Sequence, residues 1–247
     1  MKKTNKINFF RLNENSVLIQ WPMEVSENTL SEVTALSAAI KINFVGVLCT
    51  PTYASILAVF PLEIKDFIGI QKELEILYSK LNLQGFIGKH IEIPVCYDSE
   101  FALDAPFVSD SLKIDFKEII KAHTKPSYRI YGIGFLPGFM YLGGLESQLK
   151  ISRKHSPRMS VPKGSVGIAG IQTGVYPQES PGGWQIIGNC PLEFFKVNEK
   201  PPFFAAVGDT ISFVSITKDQ YKLIKIEEEA GIYKLKTRPH AKAPQTS

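Results

Sequence analysis

The sequence predicts an α+β protein, with a small helix-bearing sheet domain followed by a closed or nearly closed β-barrel. Up to about residue 96, apolar spacing switches between strand and helix periods in the order β-α-β-β-α-β once a first strand is set aside. From Tyr128 onward, short apolar runs recur, each bounded by Gly, Pro, Asn or Asp. Twelve of the eighteen glycines lie between Gly132 and Gly188, so the backbone of the second part is shaped by residues that tolerate positive φ or close approach.

Taken in order, Ile7 to Leu12 and Val17 to Trp21 read as a hairpin around the turn composition Asn13-Glu-Asn15. Ser26 is placed to cap a helix through Ile40 that carries Leu30, Val33, Ser37 and Ile40 on one face. Phe44 to Cys49 and Ser55 to Phe60 are of strand length around Pro51-Thr-Tyr, and Leu62 to Leu81 returns to helical spacing through Phe67, Ile70, Leu74, Leu77 and Leu81. His90 to Cys96 completes the split βαβ pattern, in which two helices cover one face of an antiparallel sheet.

Residues 97–113 are turn-rich and read as a connection. Asp115 with Glu118 three residues on is a capping-box pattern, with Phe116, Ile119 and Ile120 as the buried face. His123 then falls in the last turn, where the helix dipole favours its protonated form by about 0.3–1 kcal/mol. The barrel strands are read at 128–133, 166–169, 184–187, 192–195 and 210–214, and a terminal helix at 219–229. These elements place an α+β domain at 1–90 with its boundary near Gly85, a barrel domain at 91–233, and a mobile basic tail at 234–247.

Composition excludes several classes of function. A charged fraction of 21% and a net charge of +4, with basic residues spread along the chain, argue against nucleic acid as partner. No segment has the apolar length of a membrane span, and the residues after the basic Met1-Lys-Lys are too polar for the core of a signal peptide. Cys49, Cys96 and Cys190 are odd in number and widely spaced, which points to a reducing cytoplasm. The four histidines do not fall at metal-ligand spacing, so no metal site is expected. Gly132-Ile-Gly134-Phe-Leu-Pro137 fails the dinucleotide fingerprint, Lys163-Gly-Ser165-Val-Gly167 is no nucleophile elbow, and there is no Walker A loop.

Three glycine-rich blocks remain: 134–144, 161–170 and 172–184. On the second and third sit Lys163, Ser165, Gln172, Thr173, Tyr176, Ser180 and Trp184, with Arg158 just before them and Phe135, Phe139 and Tyr141 on the first. Successive glycine amides, as at Gly164 and Gly170, can form an anion-binding concavity, and an arginine can hold a carboxylate in a bidentate pair. The pattern suits a small anionic ligand or a partner's loop. Barrel core is the competing role for the aromatic residues, and a satisfied helix end is the competing role for His123. Ser165 is a turn residue rather than a nucleophile, since no base is fixed beside it in sequence.

At these blocks the chain resembles the family that contains the 5-oxoprolinase subunit PxpB and the kinase inhibitor KipI, also labelled allophanate hydrolase subunit 1. The resemblance is carried by Gly134-Phe-Leu-Pro-Gly-Phe-Met-Tyr-Leu-Gly-Gly-Leu145, Pro157-Arg158, Val161-Pro-Lys-Gly-Ser-Val-Gly-Ile-Ala-Gly170, Gln172-Thr-Gly-Val-Tyr-Pro177 and Ser180-Pro-Gly-Gly-Trp-Gln-Ile-Ile-Gly188. Pro94-Val-Cys-Tyr97, Glu100-Phe101 and His123 also fit, whereas Asp98-Ser99, Ala102 and Ser152-Arg153 depart from the pattern. The resemblance implies a ferredoxin-like N-terminal domain joined to a cyclophilin-like β-barrel. It also implies a cytoplasmic subunit that works with PxpC/KipA-type and PxpA-type partners in ATP-dependent opening of the lactam 5-oxoproline to L-glutamate.

In that reading Arg158 binds the substrate carboxylate, amides around Gly164 to Gly170 bind developing charge, Gln172 and Thr173 orient the ligand, and Tyr176 and Trp184 wall it in. His123, Phe135, Phe139, Lys163, Ser165 and Ser180 complete the candidate set. ATP is the co-substrate of the complex, and neither a metal nor a biotin site is expected in this chain. Two other readings stem from the same resemblance: a KipI-type regulator that binds a sensor histidine kinase, and a subunit of a biotin-dependent urea or amide carboxylase. A prolyl isomerase role would rest on fold analogy alone.

Overall fold

A computed structural model of the protein describes residues 7–22, 26–83 and 88–239. The boundary expected near Gly85, the basic N-terminus and the tail beyond Pro239 lie outside the described residues. Two compact units divide the chain. The first contains β1 (Asn8–Arg11), β2 (Ser16–Gln20), α1 (Glu27–Asn43), β3 (Leu48–Thr52), β4 (Ser55–Val59) and α2 (Phe67–Ser79); the second runs from β5 (Lys89–Cys96) onward.

In the first unit the strands form one antiparallel sheet in the order β1-β2-β4-β3. Strand alternation buries Val17 and Ile19 of β2 with Ile56 and Ala58 of β4, and they share a core with Val33, Leu36 and Ile40 of α1 and Leu74 of α2. Each Val, Ile or Leu among them contributes about 1.5–3 kcal/mol through burial. Ser26 caps α1 as expected, its Oγ accepting from the Thr29 amide at 3.1 Å. Buried Glu32 on α1 accepts at one oxygen from Trp21 Nε1 at 2.9 Å and from the Tyr78 hydroxyl at 2.5 Å, so one carboxylate joins β2, α1 and α2. Burial, followed by this bond to Glu32, raises the Tyr78 phenol above its ordinary range.

Three expectations are corrected here. Residues 44–47 are not part of β3: Phe44 closes α1 and Gly46 turns the chain at φ +79°, so Pro51 stands inside the edge strand. The helix expected over 62–81 begins only at Phe67, because Asp66 caps it by accepting from the Gly69 amide. Most consequentially, the strand expected to complete the N-terminal sheet does not join it. β1 occupies that edge, and β5 belongs to the barrel.

The second unit adds α3 (Ala105–Leu112), α4 (Phe116–Thr124), β6 (Tyr128–Ile133), β7 (Met140–Gly143), β8 (Arg158–Val161), β9 (Ser165–Ala169), β10 (Gln172–Val175), β11 (Ser180–Gly182), β12 (Gln185–Asn189), β13 (Thr210–Ile216), α5 (Lys218–Glu229) and β14 (Thr237–Pro239). Seven strands close a barrel in the cyclic order β5-β12-β9-β10-β7-β6-β13. Neighbours are antiparallel except β5 and β13, which run parallel over seven residue pairs. The seam between β5 and β12 is short, a single pair at Cys96 and Asn189. Ile93, Ile130, Leu142, Val166, Ile168, Ile187, Ile211 and Phe213 fill the interior.

The connection read over 97–113 contains a helix, α3, with proline in its first turn. Leu192 to Phe195 form no strand, and Gln172 to Val175 are barrel wall rather than loop. Part of the expected mobile tail is ordered, since Thr237–Pro239 pair with Lys89–Ile91 of β5. α5 opens with a capping box between Thr217 and Gln220.

Candidate functional site

Strands β8 and β11 form a two-stranded ribbon apart from the barrel sheet, with Arg158 opposite Gly182. A second apolar cluster is built from Phe139, Val161, Tyr176 and Ile186, with Leu136, Tyr141 and Trp184 packed against it. Phe139 is its hub. Its ring meets Phe135, Tyr141, Tyr176 and Trp184 edge-on at 5.0–5.7 Å between centroids.

Glycine makes this cluster possible where the barrel wall passes beneath it. A Cβ at Gly174 would stand 2.8 Å from the Met140 carbonyl and 3.1 Å from the Trp184 ring, so the indole lies against bare backbone. Gly174→Ala is therefore expected to cost about 1–3 kcal/mol in a denaturant titration, because the carbonyl cannot move aside without disturbing the ladder. At the ribbon, Tyr176 Oη accepts from the Trp184 amide, and Arg158 lies near enough to act on the phenol electrostatically. Burial, the largest influence, keeps that phenol above its ordinary range despite both.

Arg158 is anchored by a residue that sequence reasoning missed. Asp104, at the N-terminus of α3, is 4% exposed and takes four hydrogen bonds. Its Oδ1 accepts from Arg158 Nη2 at 2.6 Å and Lys154 Nζ at 3.0 Å, and its Oδ2 from Arg158 Nη1 at 2.9 Å and the Ile186 amide at 2.7 Å. Burial alone would raise the carboxyl, but the Arg158, Ile186 and Lys154 hydrogen bonds outweigh it and hold the group below its ordinary range. The Asp104 amide also donates to the Ile186 carbonyl, so α3 is tied to β12 just beyond the short seam. The sequence offered one clue: the bases of 153–158 require an acidic partner if any is buried.

His123 is placed elsewhere. It has no solvent exposure and sits within the barrel core, stacked on Phe213 at 4.5 Å. The Thr173 hydroxyl donates its proton to the Gly167 carbonyl at 2.9 Å, so its oxygen accepts from His123 Nε2–H at 2.8 Å. Nδ1 then accepts from the Tyr97 hydroxyl at 2.8 Å. Burial pushes the imidazole down to about 3, overriding the dipole effect expected from its place in the last turn. His123 is thus held neutral in the interior without solvent exposure, and Thr173, likewise buried, accepts from its Nε2–H.

The other candidates divide. Phe135, Phe139, Tyr176 and Trp184 gather beside Arg158, and Phe135 is 64% exposed at φ +66°, a conformation uncommon for a non-glycine residue. Lys163 pairs at the surface with Glu193 at 2.9 Å. The anion concavity expected from 164–170 does not form, because these residues supply β9, whose ladders run to β10 and β12 on either side. Gly164 adopts φ +80° under the Cys190 carbonyl, its amide donating to Tyr176. Ser165 is buried, Gly170 turns the chain between β9 and β10, and Gln172 opens β10 half-buried. Ser180 Oγ donates to the Pro181 carbonyl within the ribbon.

Among the described residues, no group of three His, Cys, Asp or Glu side chains is arranged to hold a metal. A cavity of about 370 Å³ opens near Phe194, Pro201, Phe204 and Tyr233, with no residue of the aromatic cluster in its lining. The candidate site is thus an open face of guanidinium, ammonium and aromatic edges, suited to an anion that carries a flat apolar body.

Comparison with known proteins agrees with the expected family. The carboxyltransferase domain, subdomain C and D, matches residues 7–205. The 5-oxoprolinase B subunit of Bacillus subtilis (strain 168) is 36% identical over 230 residues, which is 88% of this chain and 96% of that protein. The crystal structure of TTHA0988 superposes with a TM-score of 0.71 at 31% identity, covering 81% of this chain but only 40% of that longer one. The urea carboxylase of Kluyveromyces lactis shares the fold, with a TM-score of 0.79 at 16% identity over 97% of this chain and 24% of its own.

Proposed function

The chain belongs to the carboxyltransferase subdomain C and D family, within the group of 5-oxoprolinase B subunits, and on that premise we propose that it is the B-type subunit of an ATP-dependent 5-oxoprolinase. The observation that carries this reading is identity sustained over 96% of the length of the Bacillus relative. The chain is a non-autonomous part of the enzyme. Its partners are a PxpC/KipA-type and a PxpA-type subunit, and its place of work is the cytoplasm, in keeping with cysteines that are all free.

The sheet order β1-β2-β4-β3 under two helices is read as ferredoxin-like, with β1 standing in for the usual last strand. The seven-stranded closed barrel is read as cyclophilin-like.

The chemistry explains why several chains would cooperate. An unstrained lactam carbonyl is a poor electrophile. Transfer of a phosphoryl group from ATP to its oxygen, with ADP leaving, would activate the carbon; water then adds there and the ring C–N bond breaks, the nitrogen taking up a proton, to give an acyl phosphate that a second water hydrolyses to glutamate and phosphate. ATP is then a co-substrate of the complex, and no metal or biotin site is assigned to this chain. Its contribution is positional: Arg158 takes the substrate carboxylate, while Trp184 and Phe135 flank the ring and buried Tyr176, in ring contact with Trp184, supports it.

The test is ATP-dependent release of glutamate from 5-oxoproline by the three subunits together. Activity is expected only with this chain present, and Arg158→Ala is expected to lower it about 100-fold, as removal of a charged substrate contact does. Full activity without the chain would remove the proposal.

A further inference from the structure

The group around Asp104 has a charge count and a donor count that its internal pairing does not use up. One carboxylate faces two cations, which leaves a surplus positive charge at the ribbon. On Arg158, only one N–H from each terminal nitrogen is committed to Asp104, leaving Nε–H and the second N–H of each. On Lys154, one ammonium proton is committed and, among the described residues, the others are not. Both side chains are about a quarter exposed, at 25% and 27%, so the pair is accessible in part while Asp104, at 4%, holds it from the buried side.

The two residues are fixed independently of each other. The Lys154 amide donates to the Gly183 carbonyl at 2.6 Å, and its ammonium stands 5.6 Å over the Phe107 ring. Arg158 is held by the β8–β11 ladder. Gly183 and Trp184 follow directly on β11, so both cations border the aromatic cluster.

We infer that Lys154 and Arg158, clamped on Asp104, form a preorganised receptor for the carboxylate of a small monoanion, with the part-exposed Trp184 flanking the ligand's body. The surplus of one positive charge is neutralised by a carboxylate, whereas a phosphate dianion would leave the site negative beside buried Asp104. Lys154 is a specificity-determining residue in this receptor, and Asp104 is its positioning residue. Only the identity of the ligand as 5-oxoproline rests on the proposed function; the receptor rests on the geometry of this chain.

The experiment is a titration of the full chain, followed through the amide signals of Gly183, Trp184 and Ile186 and the Trp184 indole signal. The probes are L-5-oxoproline, 2-pyrrolidinone, acetate and inorganic phosphate. Expected are saturable shifts with 5-oxoproline, none with 2-pyrrolidinone, which has the ring but no carboxylate, and weaker binding of phosphate than of acetate. Lys154→Met is expected to weaken binding about tenfold and Lys154→Arg to restore most of it. Lys154-dependent binding of acetate without binding of 5-oxoproline would support the receptor and count against the 5-oxoprolinase reading. The receptor is overturned if no monocarboxylate shifts these signals, if Lys154→Met binds as the native chain does, or if phosphate binds as tightly as carboxylate.

Discussion

Asp104→Ala is expected to lower the unfolding free energy of the barrel unit by about 3 kcal/mol, the low end of the range for breaking a buried charge cluster. The low end applies because Arg158 and Lys154 are a quarter exposed and recover water when their partner is removed. The larger part of the loss comes from the Ile186 amide, which loses its acceptor, and from two cations left side by side. Asp104→Asn keeps an acceptor and the side-chain volume, and should cost about half as much. Urea titrations of both variants, followed by circular dichroism, check the order. Equal stability of Asp104→Ala and the native chain would show that the cluster does not hold α3 to β12.

The second large effect is an acid transition governed by His123. Its imidazole titrates near 3 in the folded chain and near 6.5 when unfolded, so the unfolded state binds the proton first. Stability from its neutrality is complete above about pH 6.5 and falls as pH drops toward 3, by about 1.4 kcal/mol for each pH unit. The titratable groups facing the ring, Tyr97 and Tyr128, both have phenols raised by burial, so neither supplies a compensating negative charge. A proton added at Nδ1 would also meet the Tyr97 hydroxyl proton head-on. His123→Gln is expected to flatten the slope between pH 6 and pH 4.5 whatever its absolute stability, and denaturant titrations across that range measure it. Asp104 acts lower on the scale. Its carboxyl is held below 3.8, so its contribution is present above that value and is lost as pH falls through the folded pKa.

The sequence carried most of the local structure, because caps and periodicity are short-range signals. Ser26 and Asp115 each mark a helix start, and the alternation in Val17 to Trp21 marks a strand with one buried face. Strand partnership was not legible. The run from His90 to Cys96 is apolar enough to end either sheet, and only its parallel register against Thr210 to Ile216 assigns it to the barrel. The glycine blocks misled for a related reason: Gln172 to Val175 carries few side chains of strand character, yet its glycine makes room for the Trp184 ring.

At the site, residue type identified Arg158 and the aromatic residues but not their support. Asp104 lies about fifty residues from Arg158 in a segment without periodicity, so nothing local announces the pair. His123 illustrates the opposite error. Its position on α4 was read correctly, but a helix dipole effect of under about 1 kcal/mol cannot compete with complete burial.

That β1 rather than β5 finishes the first sheet also bears on how the chain is made. Every strand and helix described for the N-terminal unit has left the ribosome once Ser79 and its cap have emerged, so this unit can fold while the rest is still being translated. β5 emerges next and must wait. Its long partner lies 120 residues further on, as the contact from His90 to Thr210 measures. At about 5–20 residues per second, that is roughly 6–24 s during which an apolar strand stays unpaired on the nascent chain.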